Sequence, residues 1–298
     1  MNNRKSLQIL PQFVLRILAL VTMTIDHTGV FLQAMPEPYR TVGYVFRCIG
    51  RIAFPLFVFF LAEGARRTHN PLKYFLRVFA LYAAMILAET IYIYAYPGAI
   101  YSADTLAENP FTDLALVLGT LLLLRQKGWK KILAILPASI LILGFSVDVY
   151  EKANAFTIHW FPFYLRPGYS LIGLLLGLGF YFAAPLTDKI TAAYAGSIGL
   201  DKESIKETPY YQRLKNLLCC FVLFVVIAGF WGLSYVGYTY DRRPLDVFGM
   251  SVQSYALLAM PLLYLYSGKR GHDSKPFRII SYLFFPVHLI ILFLIFAI

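Results

Sequence analysis

The residues with chemistry to offer lie where charge is expensive. Asp26 and His27 fall inside an apolar run that begins near Ile9 and continues to about Leu32. Arg47 and Arg51 follow in the next apolar stretch, four residues apart and therefore on one helical face. Glu63 closes that stretch, Glu89 lies in the third, and Asp113 and Asp148 lie near the ends of the fourth and fifth. His288 is in the last, two residues after Pro286. A charged side chain at mid-membrane costs about 2.5–3.5 kcal/mol on insertion scales, so each of these groups needs a partner, a hydrated cavity or a function. His27 is the side chain whose proton moves near neutral pH. Next to a carboxylate in an otherwise apolar helix, it suits a general base or a proton relay.

Each group also has a purely structural reading. An arginine paired with Asp26 or Glu89 is then only a buried ion pair. His288 then only bonds a carbonyl released by Pro286, and Asp113 and Asp148 only cap helix ends. Successive helical residues point about 100° apart, so Asp26 and His27 cannot face one partner. We expect His27 to face a cavity while Asp26 holds Arg47 or Arg51, with Gly29 letting that helix approach closely.

The elements that must position these groups are transmembrane helices. Of 298 residues, 59% are apolar and 14% charged, against roughly 45–50% and 25% in soluble domains. Candidate spans are 11–33, 43–64, 73–96, 111–125, 129–147, 167–187, 214–235, 248–266 and 279–298, the fourth being short. With the N-terminus inside, about 19 of the 27 Lys and Arg residues fall in inner segments, as the positive-inside rule requires. The expected architecture is all-α: a polytopic bundle of about nine helices, N-terminus cytoplasmic and C-terminus outside, with 1–298 as one integral membrane domain and an uncleaved first helix. In that arrangement the groups named above, Glu63 excepted, converge on the outer half; Arg16 lies near the inner side and can snorkel. The net charge of +11 sits in short loops rather than in a stripe with interleaved aromatics, which argues against a nucleic-acid partner. Cys48, Cys219 and Cys220 lack the spacing of a zinc site, and no metal is expected.

Thr24-Ile25-Asp26-His27-Thr28-Gly29, then Arg47-Cys48-Ile49-Gly50-Arg51-Ile52-Ala53-Phe54-Pro55-Leu56-Phe57, then Glu63-Gly64 and Lys73-Tyr74 with Arg77, form a pattern that resembles the TraX family, named for F-pilin acetylation. It resembles more distantly the polytopic acyltransferases that acetylate glycans across membranes. Phe285-Pro286-Val287-His288-Leu289 is similar to the family's ending, with Phe285 where Tyr is expected. The resemblance covers about the first 90 residues and the last 20. It implies acyl transfer from an acyl-CoA, acetyl-CoA above all, to an amine or hydroxyl of a protein, glycan or lipid acceptor at the bacterial inner membrane.

In that reading His27 is the base and Asp26 holds its tautomer or anchors an arginine. Arg47, Arg51 or His288 then stabilises the oxyanion or binds CoA phosphates. The basic inner loops with Arg66, Arg67, Lys73 and Arg77 suit an anionic donor, and Glu63, Glu89, Asp113 and Asp148 complete the candidate substrate-binding set. Two other classes use the same residues: a proton-coupled transporter or flippase, against which the absence of an internal repeat argues, and a non-enzymatic assembly partner for pili or envelope polymers.

Overall fold

Pro55 decides where the second apolar stretch bends. It has no N–H to give the Arg51 carbonyl, and its ring crowds that oxygen, so one continuous helix over 43–64 is disfavoured. The computed structural model, which describes residues 7–95, 109–154, 156–239 and 250–296, shows two helices there with a turn at Arg51 and Ile52. In chain order the helices are α1 (Gln12–Gln33), α2 (Tyr39–Gly50), α3 (Ala53–Arg67), α4 (Pro71–Ala95), α5 (Pro110–Leu124) and α6 (Ile135–Asn154). They continue with α7 (Ser170–Ser197), α8 (Lys202–Lys206), α9 (Pro209–Thr239), α10 (Met250–Gln253), α11 (Met260–Tyr264) and α12 (Lys275–Phe296). Among the described residues there is no β-strand, only two isolated bridges.

The chain is an all-α, multi-pass membrane protein. Among the described residues, seven helical stretches are long and apolar enough to cross a bilayer: Gln12–Gln33, Tyr39–Arg67, Pro71–Ala88, Gly128–Asn154, Ser170–Ser197, Pro209–Gly237 and Lys275–Phe296. The other two expected spans coincide with shorter apolar helices, Pro110–Leu124 and Ser254–Tyr264. The start of α5 is locally specified: the Asn109 side chain accepts from Phe111 N at 2.9 Å, and Pro110 occupies the position where a missing N–H is harmless. Pro185 and Pro286 lie inside α7 and α12, which both continue through them.

The chain forms two compact units. The first comprises Met1–Phe57, Phe182–Ala228 and Ser251–Ile298. Within it α1 packs on α2 through glycines. A Cβ on Gly29 would lie 2.8 Å from the Gly43 carbonyl oxygen, and one on Gly43 would lie 2.7 Å from Gln33 N, so only hydrogen fits at either place. At the end of α1, Phe31 stacks on Phe296 of α12 with ring centres 5.1 Å apart. At its start, the stretch before α1 runs beside the residues after α11, with Leu10 N donating to Leu265 O at 2.9 Å and Ser267 N to Leu10 O at 2.8 Å. Asn216 Nδ2 of α9 reaches the Tyr264 and Tyr266 carbonyls at 2.9 and 2.7 Å, satisfying acceptors that α11 leaves open at its end.

The second unit comprises Val58–Tyr181 and Gly229–Met250. Its interior is mainly apolar, with Phe59, Leu118, Leu121, Leu141, Ile172 and Phe180 all fully or almost fully buried, and it also encloses Glu63, Thr112 and Asp113. A Cβ on Gly144 of α6 would meet the Pro167 ring at 2.6 Å, which brings α6 directly against the chain leading into α7.

Candidate active site

Asp26 is buried on α1 and binds both arginines of α2 and its C-terminal turn. Arg47 Nη1 donates to Oδ2 at 2.5 Å, and Arg51 Nη2 donates to Oδ1. One carboxylate therefore serves two guanidinium groups, and the trio carries one formal positive charge. Gly50 makes the geometry possible, because a Cβ there would lie 2.6 Å from Asp26 Cα. Arg51 is fixed further by its Nε, which donates to the Arg47 carbonyl at 3.3 Å, and by its Nη1, which donates to Gln253 Oε1 at 3.3 Å.

His27, the next residue on α1, turns to a different partner, as helical geometry requires. Its Nδ1 lies 2.8 Å from His288 Nε2 of α12. His288 is buried, and its Nδ1 lies 2.8 Å from the Phe284 carbonyl oxygen one turn earlier. The carbonyl has no proton, so His288 Nδ1 is the donor. With both rings neutral, His288 Nε2 is then an acceptor and His27 Nδ1 carries the proton. The lone pair of His27 is left on Nε2, which has no hydrogen-bond partner among the described residues. Phe284 stacks on the His288 ring at 5.2 Å, and Phe285 meets the edges of both imidazoles at 5.4 and 5.6 Å. Both guanidinium groups act electrostatically on the half-buried His27 ring.

The first unit thus assembles Asp26, His27, Arg47, Arg51 and His288 from α1, α2 and α12. The carbonyl that His288 engages belongs to Phe284, whereas the one left without a helical donor by Pro286 belongs to Tyr282. The pairing of Asp26 is with both arginines rather than with one. Gln253 is the residue that reading the sequence missed. It is a neutral amide in an apolar stretch, and its only signal was to be a large polar side chain there.

The remaining candidates lie in the second unit. Buried Glu63 accepts from Arg66 at 3.1 Å and from Arg67 at 2.8 Å, both on its own helix. Arg125 Nη1 donates to the Ala65 and Thr68 carbonyls at 3.1 and 2.7 Å and so caps the end of α3. Lys73 and Arg77 are exposed on α4. Glu89 also lies on α4, and its side chain falls outside the described residues. Asp113 is fully buried and bonds the chain before α7: its Oδ2 accepts from Gly168 N at 2.8 Å and Tyr169 N at 3.0 Å. It does not cap its own helix. Its Oδ1 and the neighbouring Thr112 Oγ1 have no partner among the described residues. Asp148 is half-buried on α6 and close enough to act electrostatically on Asp113.

No group of three or more His, Cys, Asp or Glu with metal-binding geometry occurs among the described residues. The model of one protein family, described as TraX protein, matches residues 12–197. That stretch contains Asp26, His27, Arg47 and Arg51 and ends before Gln253 and His288. No curated protein and no solved structure matches the chain.

Proposed function

The chain belongs to the TraX family, and on that premise we propose that it is a membrane-embedded acyltransferase moving an acetyl group from acetyl-CoA to an amine or hydroxyl of a pilin or other envelope acceptor. The observation that carries this reading is the chain of hydrogen bonds from the Phe284 carbonyl through His288 to His27. It leaves one imidazole nitrogen basic and aimed away from its support, next to a cluster with excess positive charge.

Acyl transfer asks for a group to accept the nucleophile's proton and for positive charge or donors at the carbonyl oxygen. His27 Nε2 accepts that proton. The imidazolium that forms keeps its Nδ1–H bonded to His288, which takes the orienting place that a carboxylate holds in a serine-protease triad. Arg47 and Arg51 are held by Asp26 and supply the field that favours a developing oxyanion. Arg66, Arg67, Lys73 and Arg77 provide the basic inner face for an anionic donor, with the N-terminus cytoplasmic, the C-terminus outside and the protein in the inner membrane.

The test is turnover by detergent-purified protein given labelled acetyl-CoA with amine and hydroxyl acceptors. The wild-type chain transfers or hydrolyses the acetyl group, and His27→Ala does so at least 100-fold more slowly with unchanged expression and elution. Full activity in His27→Ala removes the base from this reading, and an inactive wild type removes the reading itself.

A further inference from the structure

Gln253 has a polar end with nothing to bond among the described residues. The residue is 4% exposed, and its Oε1 accepts from Arg51 Nη1 at 3.3 Å. A guanidinium offers only donors, so this contact fixes the amide orientation and turns Nε2 away from Arg51. There Nε2 meets no acceptor among the described residues. A buried N–H2 group without a partner is costly and uncommon, and a catalytic role is one of the few reasons for keeping one.

The backbone supports the same conclusion. α10 ends at Gln253, and a 3-10 stretch, Ser254–Ala259, follows before α11. Non-α backbone at membrane depth persists where it is buried in protein or lines a cavity. That break places Gln253 beside Arg51, and Arg51 in turn bonds Asp26, the chain neighbour of His27.

We propose that Gln253 Nε2–H is a hydrogen-bond donor to the carbonyl oxygen of the acyl group being transferred. The inference rests on the acyltransferase reading. A donor-only group is matched by a ligand atom that only accepts. In acyl transfer the carbonyl oxygen is such an atom, while the nucleophile's lone pair is directed at carbon.

In the step, the acceptor's nitrogen or oxygen bonds to the carbonyl carbon as its proton passes to His27 Nε2. The carbonyl π pair moves onto oxygen, where the Gln253 amide donates to it. Collapse restores the carbonyl and breaks the carbon–sulfur bond, and the thiolate leaves with the proton from His27. Atoms and charge balance without any further reactant. The amide adds no charge to a cluster that is already positive, and it needs no reorganisation when the oxyanion forms.

The discriminating variant is Gln253→Glu. It keeps an oxygen for Arg51 and deletes the N–H donor. With purified protein and labelled acetyl-CoA, kcat falls by about 100-fold while KM for the donor stays within about threefold. Gln253→Asn draws the amide back by one methylene and lowers kcat at least tenfold in the same assay. If Gln253 served only to hold Arg51, the carboxylate would serve as well, and near-wild-type kcat in Gln253→Glu overturns the proposal. So does near-wild-type kcat in Gln253→Asn. An active wild type with an inactive His27→Ala and an unaffected Gln253→Glu refutes this role alone; an inactive wild type refutes the acyltransferase reading with it.

Discussion

Because the Phe284 carbonyl can only accept, it holds the proton on His288 Nδ1, and through the 2.8 Å contact with His27 it determines which His27 nitrogen is basic. His288→Phe keeps an aromatic ring at that position and removes the acceptor, which frees His27 to rotate and change tautomer. We expect kcat to fall by about 10²–10⁴-fold with little change in the melting temperature. A fall of less than threefold would reduce His288 to a packing residue. Asp26 has the opposite profile. Asp26→Asn leaves the Arg47 and Arg51 guanidinium groups together without their carboxylate, and breaking a buried pair in this way costs about 3–5 kcal/mol. Thermal unfolding in detergent should show that loss, and a melting temperature equal to wild type would mean that water, not Asp26, compensates the arginines.

At the scale of elements, the site depends on two places where a side chain is kept out or a hydrogen bond is withheld. Gly50 faces Asp26, and a Cβ there would lie 2.6 Å from a backbone atom that cannot rotate aside. Gly50→Val therefore pushes α2 off α1, at about 1–3 kcal/mol for overpacking, and separates Arg47 and Arg51 from Asp26. Activity should be lost more completely than stability, as turnover and melting measured on one preparation will show. Pro55 withholds the N–H that would close α2 and α3 into one helix. Pro55→Ala restores a donor for the Arg51 carbonyl and shifts the Arg51 side chain, so turnover falls while the melting temperature holds or rises. In the second unit, Asp113 ties α5 to the start of α7 through Gly168 N and Tyr169 N. Asp113→Ala leaves two backbone donors unpaired and costs about 2 kcal/mol or more, whereas Asp113→Asn keeps an acceptor and costs less. Equal melting temperatures for the two variants would contradict a tethering role.

For the whole molecule, the distribution of Lys and Arg makes a statement about sidedness that labelling can test. The three native cysteines are buried and so give a low background. With the N-terminus inside, a cysteine replacing exposed Lys127 is modified by a membrane-impermeant thiol reagent only after the cells are opened, and one replacing exposed Lys152 is modified on intact cells. The reverse pattern would invert the orientation. It would also place the basic stretch with Arg66, Arg67, Lys73 and Arg77 on the side away from the cytoplasm, from which the proposed acyl-CoA donor comes.

Hydrophobic patterning and the cost of intramembrane charge were enough to identify a polytopic all-α protein and to place Asp26, His27, Arg47, Arg51 and His288 among the candidates, beside Glu63, Glu89, Asp113 and Asp148, because both are properties of residue type and position along the chain. The same one-dimensional signal could not show that Asp26 serves two arginines, or that the His288 ring supports His27, since both depend on which helices are neighbours. It also could not reveal Gln253. A neutral amide carries no insertion penalty large enough to stand out, and its significance comes from being buried beside Arg51 with a donor unmet among the described residues. The bend at Arg51 lies between these cases. Pro55 announces it locally, and only the packing of α1 against α2 turns it into the position from which Arg51 reaches both Asp26 and Gln253.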